Sequence, residues 1–180
     1  SFTEMLRRKY SHSNYRTYCY SGYAASVSSF LDYYKYSMQL AADESAHSYE
    51  DAIERIELGY KAIALKPIAK TMSMSLLILA EAHKRGIPCF CADLTVNPWM
   101  VDFNKNIAAR IDPLPGMKIG VLESNGSQNY TNWATMRTYH PMFGKASFID
   151  PVRGIYEVGN DFYETSGGIF MDSAYYSKLV

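Results

Sequence analysis

Four short apolar segments, each ending at an ionisable residue, constrain the fold more than any other feature of this sequence. The segments end at Asp43, Lys66, Asp93 and Glu123, at intervals of 23, 27 and 30 residues. Each interval is long enough for one strand followed by one helix. Units of this length, repeated along a chain, predict parallel strands joined by right-handed crossovers. The sequence therefore predicts an α/β fold.

Helix signals lie between these segments, as this prediction requires. Ser48 and Asp51 have the spacing of a capping box, and Gly59 is typical of a helix end. Residues 72–85 form a second, strongly apolar helical pattern that ends at Gly86. Both helices are predicted to connect consecutive strands.

A third helix is predicted after the third apolar segment. Asn97 and Pro98 are typical of the N-cap and the first helical position. The spacing of Met100, Phe103 and Ile107 then predicts that these three side chains face inward.

The parallel strands are predicted to form half of a TIM-type (β/α)8 barrel. A full barrel needs about 250 residues and carries its chemistry at the carboxyl ends of the strands. The four units at 39–149 therefore predict the C-terminal half. Residues 1–38, rich in Tyr and Ser, are predicted to be an aromatic lead-in. Residues 150–180 are predicted to be a closing segment with two short aromatic strands around Gly167 and Gly168.

Half of a barrel leaves two strand edges open, and an exposed edge invites pairing with another strand. We therefore expect a partner, either the missing N-terminal barrel half or a second copy of the chain.

Composition argues against some other partners. Lys+Arg and Asp+Glu both number 18, so no net charge favours a nucleic acid. The longest apolar run is too short to span a membrane and the start lacks the pattern of a secretory leader, so we expect a cytoplasmic protein. Cys89 and Cys91 alternate within "IPCFCAD", which predicts packed thiols rather than a disulfide.

Two stretches carry a resemblance to a known family. "AADESAHSYEDAIERIELGYKAIALKP" and the later "GIPCFCADLTVNP" resemble the C-terminal barrel half of the enolase superfamily, in its mandelate racemase and muconate lactonizing enzyme branch. The resemblance covers about residues 39–130. It implies that Asp43 ligates Mg²⁺ and that Lys66 is the catalytic acid/base.

The same resemblance implies roles for the remaining strand-end residues. Glu123 would act on the substrate, by binding it or by hydrogen-bonding the oxyanion that develops. Asp93 and Asn125 are candidates for substrate binding. The substrate class is a small carboxylate.

The chemistry that the family performs follows simple electrostatics. Removing a proton alpha to a carboxylate creates an ene-diolate with two adjacent negative oxygens. A hard cation held by carboxylates neutralises that charge as it develops. A partly desolvated lysine favours its neutral form and can remove the proton. The outcome is racemisation, epimerisation, cycloisomerisation or dehydration.

The sequence also departs from the family pattern. "KPIAKTMSMS" stands where the family has a glycine pair after the lysine strand, and "TYCYSGY" stands where it has a further metal carboxylate. One carboxylate does not hold Mg²⁺, which gives up its waters reluctantly. The chain alone is therefore expected to be inactive.

Two alternative functions stay open. The chain can be a catalytically inactive half-barrel that binds or scaffolds, or an independent small α/β domain that binds a cationic ligand.

Each candidate residue also has a structural interpretation. Asp43 can be a solvated acid after a strand, and Lys66 can cover the barrel rim with its aliphatic stem. Glu123 stands in "ESNG", an ordinary turn signal. His140 lacks the spacing of a metal ligand and is expected to have a structural role.

Overall fold

The structure is a computed structural model that describes residues 40–92 and 95–179. The lead-in predicted at 1–38 and the strand-end residue Asp93 lie outside the described residues. Among the described helices, none is long and apolar enough to cross a membrane.

Four strands form one sheet in the order β1-β2-β3-β4. The register pairs Ala42 with Ile63 and Ala92 with Glu123, in both cases in parallel. The predicted α/β fold, with parallel strands that alternate with helices, is confirmed, and it has the arrangement expected of half of a TIM-type barrel. The strands are β1 (Ala41–Ala42), β2 (Ala62–Leu65), β3 (Cys89–Ala92) and β4 (Leu122–Glu123).

Helices connect these strands and continue after the last one. The connecting helices are α1 (Tyr49–Glu57), α2 (Met72–Lys84) and α3 (Val101–Ala108). Shorter helices follow β4, namely α4 (Gly126–Asn129), α5 (Trp133–Arg137) and α6 (Asn160–Thr165). Single 3-10 turns lie at Ser147–Ile149, Ser166–Gly168 and Tyr176–Lys178.

The described residues fall into two compact units. Residues 40–64 and 76–89 form the first unit, and residues 65–75, 90–92 and 95–179 form the second. Each is described by itself below.

In the first unit, α1 begins with the capping box that the sequence predicts. The Ser48 hydroxyl accepts from the Asp51 backbone N–H at 3.1 Å, and the Asp51 carboxylate accepts from the Ser48 backbone N–H at 3.0 Å. These hydrogen bonds lower the pKa of Asp51. The carboxylate also lies in the first turn, where the positive end of the helix dipole favours a negative charge.

Side chains at the end of α2 connect it to α1 within the first unit. Glu81 accepts hydrogen bonds from the Tyr49 hydroxyl at 3.2 Å and from Arg85 Nε at 2.8 Å. Arg85 Nη1 also lies 3.5 Å from Glu57 Oε1. Because Glu57 and Arg85 are at least partly solvated, these pairs position the helices more than they stabilise the unit.

The second unit confirms the predicted cap before the third helix and corrects the buried face of that helix. Asn97 caps the turn that leads into α3, because its side-chain oxygen accepts from the backbone N–H groups of Trp99 and Met100 and its carbonyl accepts from the Val101 N–H at 3.3 Å. Ile107 is buried as predicted, but Met100 and Phe103 are only half-buried. The fully buried face of α3 is instead largely polar.

The two strands predicted around Gly167 and Gly168 are also absent from the described segment. The chain forms α6 and a 3-10 turn there, and the antiparallel bridge within 150–179 joins Val152 and Ile155. Both glycines have positive φ, 69° and 81°, which turns the chain out of an extended path.

The predicted packed thiols are confirmed. Cys89 and Cys91 of β3 are both buried, and Cys89 is a free thiol. Burial in apolar surroundings raises the pKa of the Cys89 thiol to about 12, because it disfavours the thiolate.

Cys89 should therefore stay unmodified when the folded protein is treated with a disulfide reagent at pH 8. After unfolding in urea, the thiol is expected to regain its ordinary pKa of about 8.5 and to react within minutes. Peptide mapping by mass spectrometry distinguishes Cys89 from Cys19 and Cys91. Equal labelling of Cys89 in the folded and unfolded protein would contradict the burial.

Candidate functional site

Each described strand-end residue lies at the carboxyl end of a parallel strand or directly after it. Asp43 follows β1 and is half-buried, and its carbonyl accepts from the Ala46 N–H at 3.0 Å. Lys66 follows β2 and is only 4% exposed. Glu123 is the last residue of β4 and is exposed.

Asn125 stands at the N-cap position of α4 and is half-buried. Its carbonyl accepts from the Asn129 side chain at 2.8 Å. Lys66, Glu123 and Asn125 belong to the second unit, whereas Asp43 belongs to the first.

The donor set for a divalent cation is incomplete within the described ranges. They contain no group of three or more His, Cys, Asp and Glu side chains that could hold a metal ion. Mg²⁺ requires near-octahedral oxygen ligation. Asp43 is one carboxylate, so the described residues do not by themselves fit a Mg²⁺ site.

A second group of ionisable side chains lies within the second unit, away from any strand end. Lys105 Nζ lies 2.6 Å from Asp102 Oδ1, and His140 Nε2 lies 2.9 Å from Asp102 Oδ2. Asp102, Lys105 and His140 are only 1%, 3% and 4% exposed, respectively. We call them the buried charge cluster.

The two contacts are close but not well aligned. Neither Asp102 Oδ1 nor His140 Nε2 makes a hydrogen bond of good geometry, although both atoms are fully buried. We therefore treat the attraction to Asp102 as mainly electrostatic, which is strong where water is excluded.

Lys105 has further contacts that favour its charged form. Its amine donates to the Phe148 carbonyl at 2.7 Å and lies 4.2 Å from the centre of the Tyr156 ring. Burial lowers the pKa of Lys105, and the negative charges of Asp102 and Asp150 oppose that shift. With a carboxylate, a carbonyl and a ring face around it, this amine is engaged structurally rather than offered to a substrate.

The buried face of α3 also binds the turn that follows α6. The Asn106 side chain donates to the Asp102 carbonyl at 2.7 Å and to the Ser166 carbonyl at 2.8 Å. A Cβ at Gly167 would lie 2.7 Å from the Phe162 ring and 3.2 Å from Asp102. Only glycine allows the backbone to lie this close to Phe162 and Asp102, so Gly167 lets the turn after α6 pack against the buried charge cluster.

An aromatic layer surrounds His140. The Trp99 ring lies edge-on to the imidazole at 6.1 Å and stacks on Tyr176 at 5.4 Å. Tyr139 stacks on Tyr175, and the Ser173 hydroxyl donates to the Tyr139 carbonyl at 2.6 Å. These contacts hold the end of the chain against the segment that carries His140.

A cavity of about 140 Å³ adjoins the other end of α3. Its walls are mostly apolar, with Lys105 and Tyr156 as the polar exceptions. The remaining lining residues are Ala108, Ala109, Ile119, Gly120, Leu122, Gly154, Ile155 and Val158.

The sequence contained one signal for the buried charge cluster. "VDFNKNIA" places Asp102 and Lys105 three residues apart on one helical face, where an ion pair forms readily. No pattern in the neighbouring sequence identified His140 as a partner of Asp102 and Lys105, because it lies far along the chain. Its expected structural role agrees with these contacts.

Comparisons with known proteins give a partial similarity. No family model matches the chain, and no curated protein matches it. A solved structure described as a mandelate racemase/muconate lactonizing protein from Herpetosiphon aurantiacus is similar, with a TM-score of 0.42 and 21% sequence identity. The match covers 50% of this chain and 24% of that chain, so it spans about a quarter of the other protein's length. Membership of the enolase superfamily stays a prediction.

The close approach of Gly167 leads to a stability prediction. Gly167→Ala should lower the free energy of unfolding by about 3 kcal/mol, since it adds a methyl group at positive φ and pushes it into the Phe162 ring. Gly154→Ala is the matched control, because Gly154 also has positive φ but nothing lies within 4 Å of an added Cβ. Its cost should be about 1 kcal/mol. Urea denaturation measures both, and equal losses would show that the Phe162 ring does not constrain the turn.

Proposed function

We propose that this chain is the C-terminal barrel half of an enolase-superfamily enzyme that removes a proton alpha to a carboxylate. The observation that supports it best is the position of Lys66. This amine directly follows a fully buried strand of a parallel sheet and is itself only 4% exposed. In α/β barrels the carboxyl ends of the strands carry the catalytic groups.

We assign Lys66 the role of general base. Burial of an amine disfavours its ammonium form, which is what a lysine base requires. The neutral amine would take the alpha proton of the substrate, and the electron pair of the C–H bond would move into the ene-diolate. Return of a proton to that carbon gives racemisation or epimerisation. Loss of a leaving group from the adjacent carbon gives elimination.

The other strand-end residues would bind the carboxylate substrate. We assign Asn125 to hydrogen-bond the substrate, and Glu123 to act on it, by binding it or by hydrogen-bonding the developing oxyanion. Asp93 is proposed as a further substrate-binding residue by the family resemblance alone.

The proposed cofactor is Mg²⁺, which would supply positive charge next to the ene-diolate when bound. Asp43 is the proposed ligand from this chain. The additional carboxylates must come from outside the described residues, and the missing barrel half is the proposed source. Among the described strands, β1 and β4 stand at the two ends of the sheet order, and we propose that the missing half or a second copy of the chain pairs there.

We propose a cytoplasmic location, which the free, buried thiol of Cys89 supports, because free thiols are typical of a reducing compartment.

The competing function is a half-barrel without catalysis, which binds or scaffolds another protein. The exposed apolar side chains of α2, Leu76 and Leu77, would suit such a role. The two functions differ in whether the complete protein exchanges a substrate proton.

Lys66→Ala should abolish exchange of the alpha proton with deuterium in the complete protein. The assay incubates a panel of dipeptides and 2-hydroxy acids in D₂O with Mg²⁺ and follows the alpha proton by NMR. Lys61→Ala is the matched control, because Lys61 lies just before the same strand and is exposed. It should retain wild-type exchange.

Exchange that persists in Lys66→Ala would remove this lysine from the mechanism. If the wild-type protein exchanges no substrate and calorimetry shows no Mg²⁺ binding at millimolar metal, the scaffolding function is favoured instead.

A further inference from the structure

The cavity beside α3 lies apart from the strand-end residues of the second unit. Ile119 and Gly120, which line the cavity, come before β4, whereas Glu123 ends that strand and Asn125 follows it. The cavity therefore adjoins the amino end of β4. In α/β barrels the chemistry lies at the carboxyl ends of the strands, so the proposed proton abstraction does not need this cavity.

Two of the segments that form the walls are held by direct contacts. At the end of α3, the Ala109 carbonyl accepts from the Tyr163 hydroxyl at 3.1 Å. Before β4, Gly120 packs directly against the end of α3, because a Cβ at this position would collide with the Ala108 carbonyl oxygen. Neither wall can move inward to close the cavity without losing these contacts.

The third wall is a tight turn. Val152 and Ile155 exchange backbone hydrogen bonds of 2.8 and 3.0 Å, and the two residues between them, Arg153 and Gly154, have φ of 52° and 78°. Positive φ at both central residues is typical of a type I′ turn. The turn fixes the position of Ile155, so the cavity is formed before a ligand enters, which lowers the cost of binding.

Among the described lining residues, Lys105 carries a charge, and that charge is already compensated. Its amine lies 2.6 Å from Asp102 Oδ1, donates to the Phe148 carbonyl at 2.7 Å and lies over the Tyr156 ring. An anion that enters the cavity would lose its hydration without gaining an unpaired cation, which is unfavourable. An uncharged apolar molecule gains from leaving water and has no such cost.

We propose that this cavity is a binding site for a small, uncharged apolar molecule about the size of one aromatic ring. Its volume of about 140 Å³ sets that size, since an engineered apolar cavity of about 150 Å³ takes up benzene. Ile119 and Ile155 line the cavity and are exposed, so it opens to solvent on their side. The site is independent of the reaction proposed for Lys66, and its test requires neither activity nor Mg²⁺.

The test follows side-chain methyl groups by NMR while toluene is added to the full chain. The methyl signals of Ile119, Leu122 and Ile155 should shift and saturate, with a Kd on the order of 1 mM or tighter. Leu76 and Leu77 are exposed and lie in the first unit, so their methyl signals are the internal reference and should not shift. The absence of saturable shifts, or equal shifts at Leu76 and Leu77, would overturn the site.

Benzoate distinguishes an apolar site from an anion site, because it presents the same ring with a carboxylate. It should bind about tenfold more weakly than toluene. Benzoate that binds as tightly as toluene, or more tightly, would show that the Lys105 amine attracts the ligand, and the proposed ligand class would be wrong.

Ala109→Leu is the variant that fills the cavity, because Ala109 lines it and is half-buried. This variant should weaken toluene binding at least tenfold. Ala134→Leu is the matched control, since Ala134 is exposed on α5, and it should keep the wild-type Kd. Unchanged binding in Ala109→Leu, or an equal loss in both variants, would contradict the assignment. If Ala109→Leu does not fold, the wild-type methyl shifts and the benzoate comparison decide alone.

Discussion

The second unit depends on one buried carboxylate. Asp102 is 1% exposed, and a lone charge in such a position would cost several kcal/mol. Lys105 from the same helix and His140 from a distant segment both approach it. Because Lys105 also donates to the Phe148 carbonyl, the cluster links α3 to the later segment of the chain.

This constraint accounts for features that local rules do not explain. The helix buries a polar face, glycine is needed at position 167, and the Asn106 side chain bonds both its own helix and Ser166. A cluster of this kind specifies one arrangement of the chain more than it adds stability, since apolar residues in its place would often be as stable. The charges thus fix where the C-terminal segment lies.

The proposed chemistry uses a different kind of residue. Lys66 is buried directly after a strand, whereas Lys105 is buried on α3, where Asp102 and the Phe148 carbonyl contact its amine. In the proposed function, the same side-chain type is a base in one place and a structural cation in the other.

The sequence predicted the features whose signals are local. Periodicity identified the strands and connecting helices, Ser48 and Asp51 identified the start of α1, and alternation identified the packed thiols of β3. It did not identify the polar side chains that are buried on α3, and it was wrong about strands at 150–180, because both are decided by contacts between residues far apart in the chain. His140 meets Asp102 across nearly forty positions, and no spacing rule reports that. The roles of Asp43, Lys66, Asp93, Glu123 and Asn125 stay predictions.

The central claim is that Asp102 and Lys105 are energetically coupled within the buried charge cluster. A double-mutant cycle with Asp102→Asn, Lys105→Met and the double variant, followed by urea denaturation, measures this coupling directly. The account predicts that each single change costs about 3 kcal/mol or more, and that the double variant is at least about 2 kcal/mol more stable than the sum of the single losses implies. Additive losses, with a coupling near zero, would contradict it.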